Sequence, residues 1–280
     1  MASRIRLIAL DIDGTLLRSD KTVAPRTRLA IDRARAAGVR LVLVTGRRYP
    51  SAHRVARELG GEVPLVLHNG ALIVDGGRVL RCRPLARETA GLTIALGRAA
   101  GMEPVVHCGA AGEGLLLVDA AAPRVGLVGF YLERARDEVR SVSDLGAALA
   151  SQIVIQVMFG GTRAETDALR ARLAEALAGH ARLERTVYPA SGLVLLDVVD
   201  PSVGKAEALA FVQRRWGIGC EETLAIGDNW NDREMVAAAG LGFVMGNADP
   251  ELLALGMPTL PTNDEDGVAC AVERHVLSEA

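Results

Sequence analysis

Short apolar runs alternate with helix-patterned stretches at both ends of this chain, and that alternation restricts the fold more than any other feature. Residues 4–10, 40–44 and 64–68 are near-continuous runs rich in Leu, Val and Ile, the pattern of strands buried on both faces. Between them, residues 25–37 read as a helix with Pro25 at its start and Gly38 just past its end, and residues 50–59 as another. Strand, helix and strand joined by crossovers of this length require a parallel sheet with helices on its faces. The same alternation returns after Pro201, with helices over 205–216, 233–239 and 266–277 and strands over 223–226 and 242–245.

The middle of the chain follows another pattern. Asn69-Gly70 marks a tight turn, and residues 71–75 and 78–81 read as a hairpin around Gly76-Gly77. Beyond it, helices over 88–100 and 162–178 mix with strands over 104–107, 114–118, 152–159, 182–188 and 193–199. Thr162 and Glu165 stand in the paired positions of a capping box at the start of the second helix. The expected architecture is one doubly wound α/β domain, residues 1–82 and 200–280, interrupted by an inserted α+β domain over 83–199.

Composition excludes several function classes. No run of 18 apolar residues occurs, so no membrane span is expected, and the apolar run near the N-terminus leads straight into acidic residues and reads as a strand, not a leader. The net charge of −2, with signs mixed along the chain, gives no basic patch for nucleic acid or an anionic membrane. Cys82, Cys108, Cys220 and Cys270 are scattered without metal-ligand spacing and read as reduced thiols of a cytoplasmic protein. Of 32 basic residues only Lys21 and Lys205 are lysines.

Ligands of an open parallel sheet sit beyond the carboxyl ends of its strands, and four polar clusters fall there. They are Asp11-Ile12-Asp13-Gly14-Thr15, Thr45-Gly46-Arg47, Lys205 at a helix start, and Gly227-Asp228-Asn229-Trp230-Asn231-Asp232. Singly, each has an ordinary explanation: an Asx turn, a strand-to-helix turn, a solvated lysine, acids favoured at a helix N-terminus. Jointly they assemble carboxylates, a hydroxyl, backbone amides and one ammonium without His or Cys, a donor set for a hard cation and a phosphate. Gly14 permits the turn by which the chain leaves its first strand.

The segments DIDGTLL (11–17), LVTGR (43–47), KAEAL (205–209) and GDNWND (227–232), with Met235, resemble the haloacid dehalogenase-like phosphatases, and within them the Cof-type group. NGA at 69–71, VMGNADPELL at 244–253 and TNDEDGVA at 262–269 resemble further segments of that group. The resemblance implies an Mg²⁺-dependent phosphomonoesterase acting on a small phosphorylated metabolite such as a sugar phosphate. In it Asp11 is the nucleophile that becomes an aspartyl phosphate, and Asp13 is the acid/base. Thr45 and Gly46 hold the phosphoryl group and Lys205 neutralises it. Asp11, Asp228 and the main-chain carbonyl of Asp13 ligate the metal, Asn231 binds on the phosphate side, Asn231 and Asp232 orient metal water, phosphate and Lys205, and Asp232 and Asn69 support. Residues 83–199 become a cap that selects the substrate, with His107, Glu113, Arg134 and Tyr188 as polar candidates of which surface or core roles are expected. Where the family has glycine after its lysine this chain has Ala206, for which a small adjustment is expected. Trp230 is either a wall against the leaving group or ordinary packing, and Lys21 reads as solvated. A phosphomutase or phosphotransferase on the same fold is the nearest alternative; a non-enzymatic phosphoacceptor switch is a more distant one, disfavoured by chain length and by Asp13.

Overall fold

The computed structural model describes residues 5–60 and 62–278. The chain divides into two compact units, one formed by residues 1–47, 51–78 and 204–280, the other by 48–50 and 79–203. The first contains β1 (Leu7–Leu10), β2 (Arg40–Val44), β3 (Leu65–Leu67) and β4 (Leu72–Asp75), with β5 (Arg78–Cys82) at the passage out of it. Late in the chain it adds β12 (Thr223–Gly227), β13 (Leu241–Met245) and β14 (Thr259–Leu260). The sheet order is β14-β13-β12-β1-β2-β3-β4-β5, parallel from β14 to β3, with β4 antiparallel to β3.

This sheet follows from its sequences. Every residue of LIAL and LVL in β1 and β3 is buried, as in four of five positions of RLVLV in β2, because helices cover both faces and leave no position for a polar side chain. The expected first strand included Arg4, which lies outside the described residues. The helices of this unit are α1 (Pro25–Ala36), α2 (Tyr49–Glu58, from Ser51 on), α7 (Lys205–Trp216), α8 (Arg233–Ala238), α9 (Pro250–Leu253) and α10 (Gly267–Val272), the last running into a π-helical turn over Glu273–Leu277. Helix α1 begins on its proline and buries Thr27, Ala30, Ile31 and Ala34, one stripe at helical spacing.

The second unit is a six-stranded sheet, β10-β11-β9-β6-β7-β8, built from β6 (Val105–Cys108), β7 (Leu115–Asp119), β8 (Val139–Val142), β9 (Val154–Thr162), β10 (Arg182–Tyr188) and β11 (Leu193–Val199). Its pairings are antiparallel except for β7 with β8. Helices α3 (Arg87–Ala99) and α6 (Arg163–Ala176) cover one face, where Ile94, Leu169 and Leu173 meet Val106, Val157, Phe159 and Leu196. Helix α4 (Gly126–Arg134) packs Leu132 against Val105, Leu116 and Met158 of the other face. The capping box of α6 is present: Thr162 and Glu165 satisfy each other's backbone amides.

The sequence predicts no element between residues 119 and 151, where the structure has α4, β8 and the short α5 (Leu145–Ala148). Helix α4 carries Gly126 and Gly129 and exposes Phe130, and its inward face is short, with Leu127, Val128 and Tyr131 only partly buried beside Leu132. Among the described residues, no helix is long and apolar enough to cross a membrane. All four cysteines are free thiols.

Candidate active site

Strands β12, β1, β2 and β3 are adjacent and parallel, so their carboxyl ends share one edge of the sheet. Each runs out into a polar segment: Asp228 after β12, Asp11 and Asp13 after β1, Thr45 to Arg47 after β2, His68 to Gly70 after β3. The topology thus gathers residues that the sequence holds more than two hundred positions apart.

A buried ion cluster forms the centre. Lys205 is the first residue of α7, behind an extended Gly204. Its side chain is 1% exposed, and Nζ donates to Asp11 Oδ1 and to Asp232 Oδ1, each at 2.6 Å. Oxygens of Asp11, Asp228 and Asp232 lie within 4.8 Å of one another, and all three residues are buried. Asp232 Oδ2 also accepts the backbone amides of Asp228 at 3.2 Å and Asn229 at 3.1 Å. With all three carboxylates ionised against one ammonium, the cluster carries two negative charges in excess. Burial, reinforced by the neighbouring carboxylates, pushes Asp11 and Asp228 well above the usual carboxyl range although Lys205 opposes the shift. Burial would depress Lys205, but its two acid partners outweigh it and hold the ammonium above its ordinary value. An all-oxygen set with this excess charge fits a hard divalent cation.

The turn after β1 is fitted closely to the cluster. Gly14 has φ +78°, and a Cβ there would lie 2.3 Å from Asp228 Oδ2, so only glycine fits. The next residue, Thr15, donates its hydroxyl to Asp228 Oδ1 at 3.0 Å.

Asp13 belongs to a separate group. Arg47 forks onto it, Nε to Oδ2 at 2.6 Å and Nη2 to Oδ1 at 2.7 Å, while Arg47 Nη1 reaches Ser51 Oγ at 3.3 Å. Lys21, expected to be solvated, is half exposed, yet its Nζ lies 3.5 Å from Asp13 Oδ1. The cause of that difference is the fold-back of the loop after the turn, in which Lys21 takes φ +68°. Partial burial pushes the Asp13 carboxyl up, but the Arg47 fork and Lys21 outweigh it and hold it below its usual value.

Thr45, Gly46, Asn69 and Asn231 form a third group. The Asn69 amide donates to Thr45 O at 3.1 Å, Asn231 Nδ2 donates to Asn69 Oδ1 at 2.9 Å, and the open side of Gly46 faces Asn69 Oδ1. Asn69 is fully buried at φ +57°. Thr45 Oγ1 accepts the Arg47 amide at 3.2 Å. Ala206 sits inside the first turn of α7 without breaking it.

Trp230 packs against the cluster of Val236, Val244, Ala248 and Leu252. In the second unit, His107 is buried in β6 and stacks on Tyr131. Glu113 accepts the Ala111 amide, Arg134 lies over the Phe130 ring, and Tyr188 is an exposed strand end. The sequence alone marks no separate role for Arg47 or Thr15. Arg47 lies in the strand-end cluster but has no distinguishing mark among thirty arginines.

The profile of the haloacid dehalogenase-like hydrolase family matches residues 8–272. The chain is 25% identical to the 5-amino-6-(5-phospho-D-ribitylamino)uracil phosphatase YbjI of Escherichia coli (strain K12), over 99% of this chain and 98% of that one. It is 30% identical to the HMP-PP phosphatase of Cronobacter sakazakii (strain ATCC BAA-894), covering 91% and 89%. A crystal structure of a haloacid dehalogenase-like hydrolase from Bacteroides thetaiotaomicron superposes with a TM-score of 0.77 at 27% identity, over 97% and 99% of the two chains. The profile spans nearly the whole chain and the acid-lined sheet edge falls within it; the chain belongs to the haloacid dehalogenase-like hydrolases.

Proposed function

We propose that this hydrolase is an Mg²⁺-dependent phosphomonoesterase acting on a small phosphorylated metabolite through an aspartyl phosphate on Asp11. The observation that carries the reading is the Lys205 ammonium, buried and shared between Asp11 and Asp232 beside Asp228. A carboxylate attacks an anionic ester only where its own charge and that of the phosphoryl oxygens are neutralised. Lys205 supplies one positive charge, and the excess negative charge of the cluster calls for a dication. Asp11, Asp228 and the Asp13 carbonyl would hold Mg²⁺, which when bound supplies charge neutralisation at the phosphoryl oxygens.

In the first half-reaction an Asp11 oxygen bonds to phosphorus, the ester P–O bond breaks, and Asp13 gives a proton to the departing oxygen. In the second, Asp13 takes a proton from water, the water oxygen bonds to phosphorus, and the Asp11–phosphorus bond breaks to release inorganic phosphate. The Thr45 hydroxyl and the Gly46 amide orient the phosphoryl group, and Asn69 and Asn231 brace that loop. Asp232 keeps Lys205 in place and ties down the backbone of residues 228 and 229. Relatives named as phosphatases of small phosphate compounds support the substrate class. We also assign the choice of ester to the inserted segment, residues 83–199. Replacing it with a short linker should leave Mg²⁺ binding in place and erase preference among esters; an unchanged preference would put selection in the first unit.

A screen of phosphate esters with Mg²⁺ and with EDTA tests the main reading. Phosphate release that requires Mg²⁺ and vanishes in Asp11→Asn is expected. Full turnover in chelated protein, or near-normal turnover by Asp11→Asn, would overturn it. Following isomer formation beside free phosphate distinguishes hydrolysis from a mutase.

A further inference from the structure

We infer that Asn247 is a positioning residue for Asp13, acting through the backbone of the turn that carries it. The inference rests on the reading of Asp13 as the acid/base. Residues 12–23 form a folded-back loop, closed by the amides of Leu17 and Arg18 on the carbonyls of Ile12 and Thr22, each at 2.9 Å. Two segments far along the chain grip it. After β13, Asn247 Nδ2 donates to Gly14 O at 2.8 Å. Its other amide atom, Oδ1, accepts the Asn263 N–H at 2.9 Å, and Asn263 Nδ2 donates to Leu17 O at 2.8 Å. Asp264 extends the grip, accepting the Ser19 N–H at 2.9 Å and the Ser19 hydroxyl at 2.6 Å, while its carbonyl accepts from Arg18 Nη2 at 2.6 Å.

The orientation of the Asn247 amide is fixed by its partners. A backbone N–H only donates and a carbonyl only accepts, so the side chain fits this gap one way round. Neither aspartate nor a hydrocarbon supplies a donor and an acceptor there.

The gripped carbonyl is not remote from the chemistry. It belongs to the Gly14–Thr15 peptide, one residue beyond Asp13. Thr15 holds Asp228 Oδ1, and the backbone at Gly14 packs against the Asp228 carboxylate. A shift of this peptide therefore moves the acid/base and a carboxylate of the buried cluster together. The Arg47 fork fixes the Asp13 side chain from one direction, and Asn247 fixes its main chain from the other. These bonds give Asn247 and the segment around Asn263 and Asp264 a task within the active site, although their side chains lie outside the ion cluster.

The test uses Asn247→Asp, which keeps the acceptor for Asn263 and places an oxygen against the Gly14 carbonyl. Hydrogen exchange of the amides in residues 12–19 should speed up at least tenfold, with β1 unchanged. On an alkyl phosphate, whose leaving group needs a proton, kcat/KM, which reports the first half-reaction alone, should fall about 10- to 100-fold. On p-nitrophenyl phosphate, whose leaving group departs without one, the loss in kcat/KM should stay within about threefold. Asn263→Asp gives the same signature one bond further out and serves if Asn247→Asp does not accumulate. Unchanged exchange would remove the grip; faster exchange with equal losses on both esters would reduce Asn247 to a loop staple, and either result overturns the inference. If instead Asp13→Asn matches wild type on the alkyl ester, the acid/base reading fails and the inference falls with it, whatever the exchange data say of the loop.

Discussion

Lys205 shows how much a single side chain decides here. A compact ammonium fits between Asp11 Oδ1 and Asp232 Oδ1 at 2.6 Å to each, whereas a guanidinium is wider and binds carboxylates through a planar fork. Lys205→Arg should therefore fold with an unchanged melting curve yet lose about 10²-fold in kcat/KM, the scale of an ångström's misplacement; a mild loss would mean that charge alone suffices. Lys21→Arg would be a silent comparison only for a solvated lysine; with Nζ 3.5 Å from Asp13 it should instead cost a small, measurable fraction of kcat. Arg47 carries a stronger expectation. In Arg47→Gln the Asp13 carboxyl loses the partner that holds its affinity for protons down, so the pH at which it gives up its proton rises. The alkaline limb of kcat/KM should move to higher pH, and kcat should drop between about ten- and a hundredfold. An unmoved limb would assign that limb to another group.

At the scale of elements, the turn joining β3 to β4 holds two parts of the site. Gly70 has φ +110°, and a Cβ there would lie 2.5 Å from the carbonyl oxygen of Gly204, the residue before Lys205. Gly70→Ala should destabilise the protein by about 3 kcal/mol, visible as a lower melting temperature, and should depress activity by moving the start of α7. A variant that melts like wild type would show that the loop can yield. The strands that frame this edge were legible in the sequence because burial on both faces forces unbroken apolar runs, and the α6 cap was legible because Thr162 and Glu165 satisfy each other at a fixed spacing. Residues 119–151 were not, since α4 is diluted by two glycines and turns Phe130 outward. The acids, Thr45 and Lys205 stood out because polar groups closing apolar strands are conspicuous. Arg47 did not, because its role depends on where its side chain points in a chain that uses arginine throughout. The loop of residues 12–23 folds back through bonds to residues 247, 263 and 264 that no local pattern encodes.

For the molecule as a whole, the excess negative charge of the buried cluster makes stability depend on pH and metal together. Asp11 and Asp228 hold protons more tightly folded than unfolded. From the ordinary carboxyl value up to their raised values, the folded state thus carries more protons, and stability falls as pH rises through that window. Metal-free protein should accordingly melt highest on the acid side of neutrality, and Mg²⁺ should raise the melting temperature most where those acids are ionised. Asp228→Asn should melt a few degrees above wild type in EDTA, about 1–2 kcal/mol for relieving like charges, and should lose the response to Mg²⁺; a lower melting temperature in EDTA would mean that the ionised Asp228 stabilises the fold. The arrangement that concentrates this charge also has a consequence in time. Asp11 is made 194 positions ahead of its counter-ion, and the strand that flanks β1 opposite β2 begins only at Thr223. Between those two points of synthesis the growing chain carries Asp11 without the Lys205 ammonium, so a chain interrupted there is inert toward the phosphate esters around it.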